Sequence, residues 1–408
     1  MSMIQPAFTM TRSRQTNISD QELLLLNGHR SNLSLDECLN RAGVSLDDLR
    51  YTINSSPSTR TTIPRRIKRR NIKMQRHDVP MVSFFAGAGG LDIGMEQAGF
   101  FHVALFEKNQ IFCDTMRHNR PHWPVVGPPT DSGDVSQTDE IIGILENKFC
   151  LSQGFPGVFT GGPPCQPFSI AANQRFKKTG RGFKRTGYAN TVNGMLLFDF
   201  GRIILHFMPR VFMVENVSGL IDVDGGAQIN AFCKEMARAG YDVNDPLKLR
   251  AEMFGVPQFR ERVFIVGGRG RWTPPAKWPE TIACSSVLTD DVSKHQNHQP
   301  RNHKIQSILR YRILDFGKRD YEGRVDRLHP YIPSKTVIAG GMKGGGRSHL
   351  HPWIPRTLSV RESARLQTFP DNYVFKGAIA RQFTQVGNAV PPLLGRQLGE
   401  SIYQSYYA

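Results

Sequence analysis

From residue 79 onward the sequence predicts an α/β domain, on three observations. Short apolar runs alternate with amphipathic stretches and Gly/Pro turns from Val79 to about Gly268, the texture of strands laid beside helices. The first run, Met81-Val82-Ser83-Phe84, leads through Phe85 into the glycine-rich turn Ala86-Gly87-Ala88-Gly89-Gly90 and then a helical pattern. Two later runs, Val103–Glu107 and Val211–Glu215, each end on an acid.

The residues before this domain read differently. Residues 1 to about 16 are polar, and 19–53 are helical and short-looped. Ser34 to Arg50 resembles a helix-turn-helix, with an Ala-Gly turn and Ser45 as the cap of a second helix. Any helical hairpin gives that pattern, and Asp47 and Asp48 would repel phosphates at the end that recognition helices present to bases. Residues 54–78 read as a Ser/Thr-rich, then basic linker, either laid along a phosphate backbone or a solvated tail.

Within the domain, the glycines at 87, 89 and 90 let a ligand sit against the backbone at a helix N-terminus. A dinucleotide fingerprint would need glycine at 92, where the chain has Asp92. Glu107 lies twenty residues after Gly87, a spacing that suits a carboxylate on ribose hydroxyls, and Asp134 adds an acid for an adenine ring. Each acid read alone is equally a cap or a surface group. Together they point to a nucleoside-bearing cofactor without an essential pyrophosphate contact.

The strongest local feature is Gly161-Gly162-Pro163-Pro164-Cys165-Gln166-Pro167-Phe168-Ser169. A cysteine behind two prolines has little local freedom, and with Glu215 at the end of another strand it suggests a nucleophile and a proton handler. A lone cysteine more often packs as a small hydrophobe; the other stretches decide between the two. Gln258-Phe259-Arg260-Glu261-Arg262 runs into the apolar Val263–Val266, and strand alternation puts Gln258, Arg260 and Arg262 on one face. An arginine there bonds a base carbonyl or pairs with an acid such as Glu215. Residues 269–355 are rich in His, Pro, Gly and Arg and predict a separate loop-rich domain. Regular patterning returns at Leu358–Phe369 and in a last helix around Leu393–Tyr403, preceded by Gly387-Asn388-Ala389-Val390-Pro391-Pro392.

Composition narrows the classes. Lys and Arg number 52 against 35 Asp and Glu, a net charge of +17. The cations cluster at 60–76 and 175–185, the second within an acid-free stretch from Asn147 to Phe198, so a polyanion is the expected partner. No run suits a bilayer span or a signal peptide, which predicts a cytoplasmic protein. Six scattered cysteines without a C-x-x-C pair indicate neither zinc nor a disulfide scaffold.

The glycine loop, Pro-Cys-Gln, Glu-Asn-Val, Gln-x-Arg-x-Arg, Arg361-Glu362-Ser363-Ala364-Arg365-Leu366-Gln367 and Gly-Asn-Ala-Val, in this order, closely resemble the cytosine-C5 DNA methyltransferases over roughly residues 79–408. The resemblance implies a doubly wound, mostly parallel sheet in 79–267, completed by 376–408, with a target-recognition domain at 268–375 beside the N-terminal segment 1–53 and the linker 54–78. It implies that Cys165 is the nucleophile, that Glu215 bonds the cytosine N3 and amine, that Arg262 holds O2 and that Arg260 supports the site. S-adenosyl-L-methionine would be held by Phe84, Gly87, Gly89, Gly90 and Leu91, by Glu107 at the ribose and Asp134 at the adenine. Pro164, Leu196, Asn388 and Val390 would close around it.

Double-stranded DNA is the implied partner. Its expected contacts are Gln166, Ser169, Arg175, Lys177, Lys178 and Arg181 in the loop at about 167–192, and Thr336, Lys343 and Arg347 in the variable segment. A cognate restriction endonuclease is an implied functional partner, a monomer on DNA the implied state, and no metal is implied. Three rivals remain: the same chemistry on RNA, a regulator acting through residues 19–53, and a Rossmann dehydrogenase, which Asp92 and Pro-Pro-Cys disfavour.

Overall fold

The computed structural model describes residues 37, 40, 41, 43, 77–164 and 192–408, apart from 290–291, 302, 305–306, 309, 312–313 and 340–348. Apart from residues 37, 40, 41, 43 and 77–78, the helix-turn-helix segment and the linker fall outside the described residues, as does the stretch 165–191 after Pro164. Eight strands form the main sheet: β1 (Pro80–Phe84), β2 (Phe101–Phe106), β3 (Val125–Val126), β4 (Val158–Gly161), β5 (Val211–Asn216), β6 (Asp242–Val243), β7 (Leu247–Arg250) and β8 (Glu261–Gly268). Their order is β3-β2-β1-β4-β5-β8-β6, with β7 also paired to β8. The first five are mutually parallel, and β8 runs antiparallel to β5, β6 and β7. This is the expected mostly parallel α/β sheet. The strand order reverses between β1 and β4, and ligands of open α/β sheets bind outside the strand C-termini at such a point.

The strands are near-continuous apolar runs because helices cover both faces. On one face Val82, Phe84, Phe106, Phe159 and Phe212 pack with Ile141 and Leu145 of α3 (Thr138–Asn147), Phe200 and Ile203 of α4 (Val192–Phe207) and Phe232 of α5 (Ala227–Arg238). On the other, Met81, Val158, Met213 and Phe264 meet Leu394, Leu398 and Ile402 of the last helix, α8 (Pro392–Tyr406). Neighbours such as Met81 and Val82 take opposite faces, as the two-residue period requires. Each fully buried aromatic or aliphatic chain contributes about 1.5–3 kcal/mol.

Two further helices precede α3: α1 (Gly90–Gln97) after β1 and α2 (Gln110–Asn119) after β2. α8 crosses α1 at backbone contact. A Cβ on Gly94 would sit 2.5 Å from Arg396 N and from Pro392 O, and one on Gly90 would sit 2.5 Å from Val390 O. The Asn388-Ala389-Val390 turn is thereby pressed against the start of α1. Asp92, in place of the fingerprint glycine, is 1% exposed and lies 3.3 Å from His102 Nε2.

A third cluster joins Ala88, Ile93 and Trp123 to Leu288, Val337, Leu358, Leu366, Phe369, Tyr373 and Phe383. It includes α6 (Val360–Leu366) and α7 (Ile379–Asn388) and runs through the 375/376 boundary expected from the sequence. Ser359 starts α6 with a full capping box to Glu362. The 268–355 region holds a three-stranded sheet of β9 (Arg319–Asp320), β10 (Val325–Arg327) and β11 (His349–Leu350). One expectation changes: β8 begins at Glu261, so Gln258 and Arg260 lie ahead of the strand, and their side chains turn toward Val337 while Arg262 meets Glu215.

Candidate active site

The site is built at the C-terminal ends of β1, β2, β4 and β5. After β1 the backbone turns through Phe85, at φ 56°, and Gly87, at φ 60°, before α1. Three bonds shape this turn: Ala86 N–H donates to Phe106 O (3.1 Å), Gly87 N–H to Glu107 Oε2 (2.8 Å), and the Tyr373 hydroxyl to Ala88 O (2.7 Å). Glu107 also accepts from Asn109 N–H at 2.8 Å. Burial pushes its carboxyl above the usual range, against the pull of those backbone donors and Lys108. Burial acts the same way on Asp134, but hydrogen bonds from Ser136 and the ammonium of Lys108 prevail and hold it below the ordinary value.

At β4 the chain leaves the sheet through Gly162 and Pro163 toward Cys165, which lies outside the described residues. Next to it, β5 ends in Glu215-Asn216, two neighbours with opposite tasks. The Asn216 side chain donates to Pro163 O at 3.1 Å, worth about 1 kcal/mol, and ties down the backbone two residues before the cysteine. Glu215 instead faces Gly162, where an added Cβ would come within 3.0 Å of Oε2. Its Oε1 pairs with Arg262 Nε at 3.0 Å, and the two side chains keep 14% and 15% exposure. Burial raises the Glu215 carboxyl above its ordinary value although Arg262 and Arg260 pull it down. An acid with a raised carboxyl and a guanidinium thus converge beside Gly162, three residues before Cys165.

The model of one protein family, C-5 cytosine-specific DNA methylase, matches residues 79–404. The chain belongs to that family. Among curated relatives, the type II methyltransferase M.PspPI of Psychrobacter sp. is 32% identical, covering 79% of this chain and 78% of the relative. M.Eco47II of Escherichia coli is also 32% identical, covering 81% and 80%. The fold matches a prophage-encoded E. coli protein titled a DNA modification methyltransferase, with TM-score 0.63 at 22% identity over 80% of this chain and 99% of that one. The Entamoeba histolytica methyltransferase EhMeth gives TM-score 0.58 at 14% identity over 81% and 99%.

In this methylase the expected residues fall into groups. Gly87, Gly89, Gly90, Leu91, Glu107 and Asp134 gather at the β1 and β2 ends. Pro164 follows β4, and Asn388, exposed, ends α7 beside the buried Val390. Phe84 departs from expectation. It is 1% exposed and packs against Phe106, Phe159 and Phe200 in the core; the next ring, Phe85, is the part-exposed aromatic of the turn. Leu196, on α4, is fully buried.

Arg260 is buried and donates to Val337 O (3.2 Å) and Gly387 O (2.9 Å), so it touches Glu215 only through the field of its charge. The Thr336 hydroxyl donates to Phe259 O at 2.6 Å and anchors its own segment. Gln166, Ser169, Arg175, Lys177, Lys178, Arg181, Lys343 and Arg347 lie outside the described residues. The sequence reading missed Phe85, Asn216 and Tyr373. Strand alternation could have found the first two, since a residue next to a core-facing Phe84 or a site-facing Glu215 points elsewhere.

Proposed function

We propose that this methylase transfers a methyl group from S-adenosyl-L-methionine to C5 of a cytosine flipped out of double-stranded DNA, within a short target sequence, through a covalent bond between Cys165 and C6. The observation that carries the reading is the strand-end constellation: Glu215 with its raised carboxyl, paired to Arg262, and Asn216 fixing the backbone that leads to Cys165.

Cytosine C5 is a weak nucleophile in an electron-poor aromatic ring. When the Cys165 thiolate forms a bond to C6, the ring loses aromaticity and electron density moves onto C5. An ordinary cysteine has a pKa of about 8.5, so the thiolate needs local stabilisation near neutrality. Glu215 shares its proton with N3 and accepts a bond from the exocyclic amine, which offsets the charge arriving on the ring. Arg262 holds O2. After methylation, solvent takes the C5 proton, the C6–S bond breaks, and aromaticity and the thiolate return.

The residues at the switch point fit a nucleoside cofactor: open, side-chain-free backbone at Gly87, a buried carboxylate at Glu107 with lone pairs to spare for ribose hydroxyls, and Asp134 beyond it. S-adenosyl-L-methionine, when bound, supplies an electrophilic methyl group on sulfur. Glu107 and Asp134 would hold it, with Asn388 and Val390 of the neighbouring turn beside it. Flipping the target base costs a few kcal/mol, and the acid-free basic stretch that includes 175–185 supplies phosphate contacts. Residues 268–375 read the target sequence. The type II names of the relatives support a role in a restriction–modification system.

Expression of the chain and of Cys165→Ala in a host without cytosine methylation, followed by bisulfite sequencing, tests this. Protected cytosines in one short motif, absent with the variant, are the expected result. Unprotected DNA from folded wild type contradicts it, and methylated RNA from the same cells would move the chemistry to that substrate.

A further inference from the structure

Four buried groups, the Gln258, Arg260 and Gln367 side chains and the Gly387 backbone, join the 334–337 segment to the 387–390 turn. The stretch around Ser334–Val337 runs beside Pro257–Arg260: Ser334 N–H donates to Pro257 O (3.0 Å) and Phe259 N–H to Ser334 O (2.8 Å). At its end, both polar groups of Val337 are held by side chains. Its N–H donates to Gln258 Oε1 at 2.8 Å, and its carbonyl accepts from Arg260 Nη1 at 3.2 Å.

The same two side chains reach the other way. Gln258 Nε2 donates to Gln367 Oε1 at 2.8 Å, and Gln367 Nε2 donates to Val386 O (2.7 Å) and Ala389 O (3.3 Å). Arg260 Nη2 donates to Gly387 O at 2.9 Å. Gln258 and Gln367 are wholly buried and Arg260 is 2% exposed. Gly387 adds direct backbone packing, since a Cβ there would lie 2.5 Å from the carbonyl carbon of Ile338. Asn388, the cofactor-turn residue, sits between the carbonyls that the network grips.

We infer that the Gln258–Gln367 amide pair is a positioning device that makes the seating of the recognition segment on DNA set the placement of the 387–390 cofactor turn. This rests on the reading above of DNA and S-adenosyl-L-methionine as the two ligands. The physical ground is the cost of separation. If Val337 shifted and the turn did not, buried amide and guanidinium groups would lose partners in a place water cannot reach. Moving segment and turn together keeps every bond. Gln367 is wholly buried and bonded to protein groups alone, so its effect appears in the link between the two binding events.

The test is calorimetric titration of S-adenosyl-L-homocysteine into the full-length protein, with and without a duplex carrying the methylated motif found by bisulfite sequencing. Wild type should bind the cofactor product on the order of tenfold more tightly with the duplex present. Gln367→Met and Gln258→Met should each bring that ratio to within about twofold of unity, and the double variant should do no more, because the two amides form one bridge. A merely structural role would weaken both ligands and leave the ratio intact, and that result overturns the inference. A wild-type ratio of one, in protein that methylates DNA, overturns it too and leaves the enzymatic reading standing. Wild type that methylates no DNA removes the reading and the inference together. Should both variants unfold, hydrogen exchange on wild type decides: duplex alone, without cofactor, should slow amide exchange in 385–390, and unchanged exchange contradicts the coupling.

Discussion

Glu215, largely buried, and Glu362, fully buried, are both glutamates paired to an arginine, yet their surroundings drive their protonation in opposite directions. Glu362 takes two bonds of 2.8 Å from Arg356, one of 2.7 Å from Ser359 N–H, and has His351 at 3.8 Å. Burial alone would raise its pKa, but these donors and the Arg356 charge bring it to about 2. Glu215 has one ion pair, to Arg262 Nε, while Arg262 directs Nη1 to the backbone of Glu261 at 2.7 Å. Among the described residues nothing else donates to Glu215, and burial prevails. A neighbouring positive charge does not by itself fix a carboxylate; saturation of its lone pairs does. The saturated acid holds α6 in place. The under-saturated one, at a strand end, keeps lone pairs free.

That contrast can be broken by exchanging roles. Glu215→Gln should lower the initial rate of methyl transfer by about a thousandfold, within the range of general acid–base effects, while the melting temperature moves by a few degrees at most. A loss under tenfold would place Glu215 with the structural acids. Glu362→Gln should do the reverse. It leaves Arg356 without its partner and should cost on the order of 3 kcal/mol in urea unfolding at pH 7, with activity per folded molecule close to wild type.

The acid limb of stability sharpens the point. The folded pKa of Glu362 is depressed, so its contribution is fully present above the unfolded value near 4.5 and is lost as pH falls toward about 2. Unfolding free energy measured from pH 5 to pH 2 should fall more steeply for wild type than for Glu362→Gln. Parallel curves would show that the pair does not hold its proton off in solution. The smallest effect belongs to Asn216→Ala. Freeing Pro163 O should slow methyl transfer roughly five- to tenfold, the weight of one hydrogen bond, with the cofactor KM unchanged. An altered cofactor KM would mean that Asn216 acts elsewhere.

Much of the fold could be read ahead of the structure because parallel strands covered on both faces announce themselves as apolar runs, and Glu107 and Glu215 end two of them. The antiparallel β8 was legible as a strand, but where it began was not. Gln258 and Arg260 look like strand residues by alternation, and only the neighbouring 334–337 backbone shows why they turn from Arg262. Phe84 was misplaced for a related reason. A phenylalanine pair before a glycine turn does not say which ring the sheet keeps, and the positive φ at Phe85 is set by the turn as a whole. Tyr373 and Gln367 carried no local signal, since their partners, Ala88 and Val386, are distant or backbone groups.

The pH profile of single-turnover methyl transfer to the target duplex, for wild type and Glu215→Gln, tests the central claim most directly. The raised carboxyl of Glu215 predicts a wild-type rate that declines as pH rises through that group's own ionisation, above the ordinary carboxylate range, and a slower variant rate without that decline. Profiles of the same shape for the two proteins would contradict the assignment of Glu215 as the proton-sharing acid of the site.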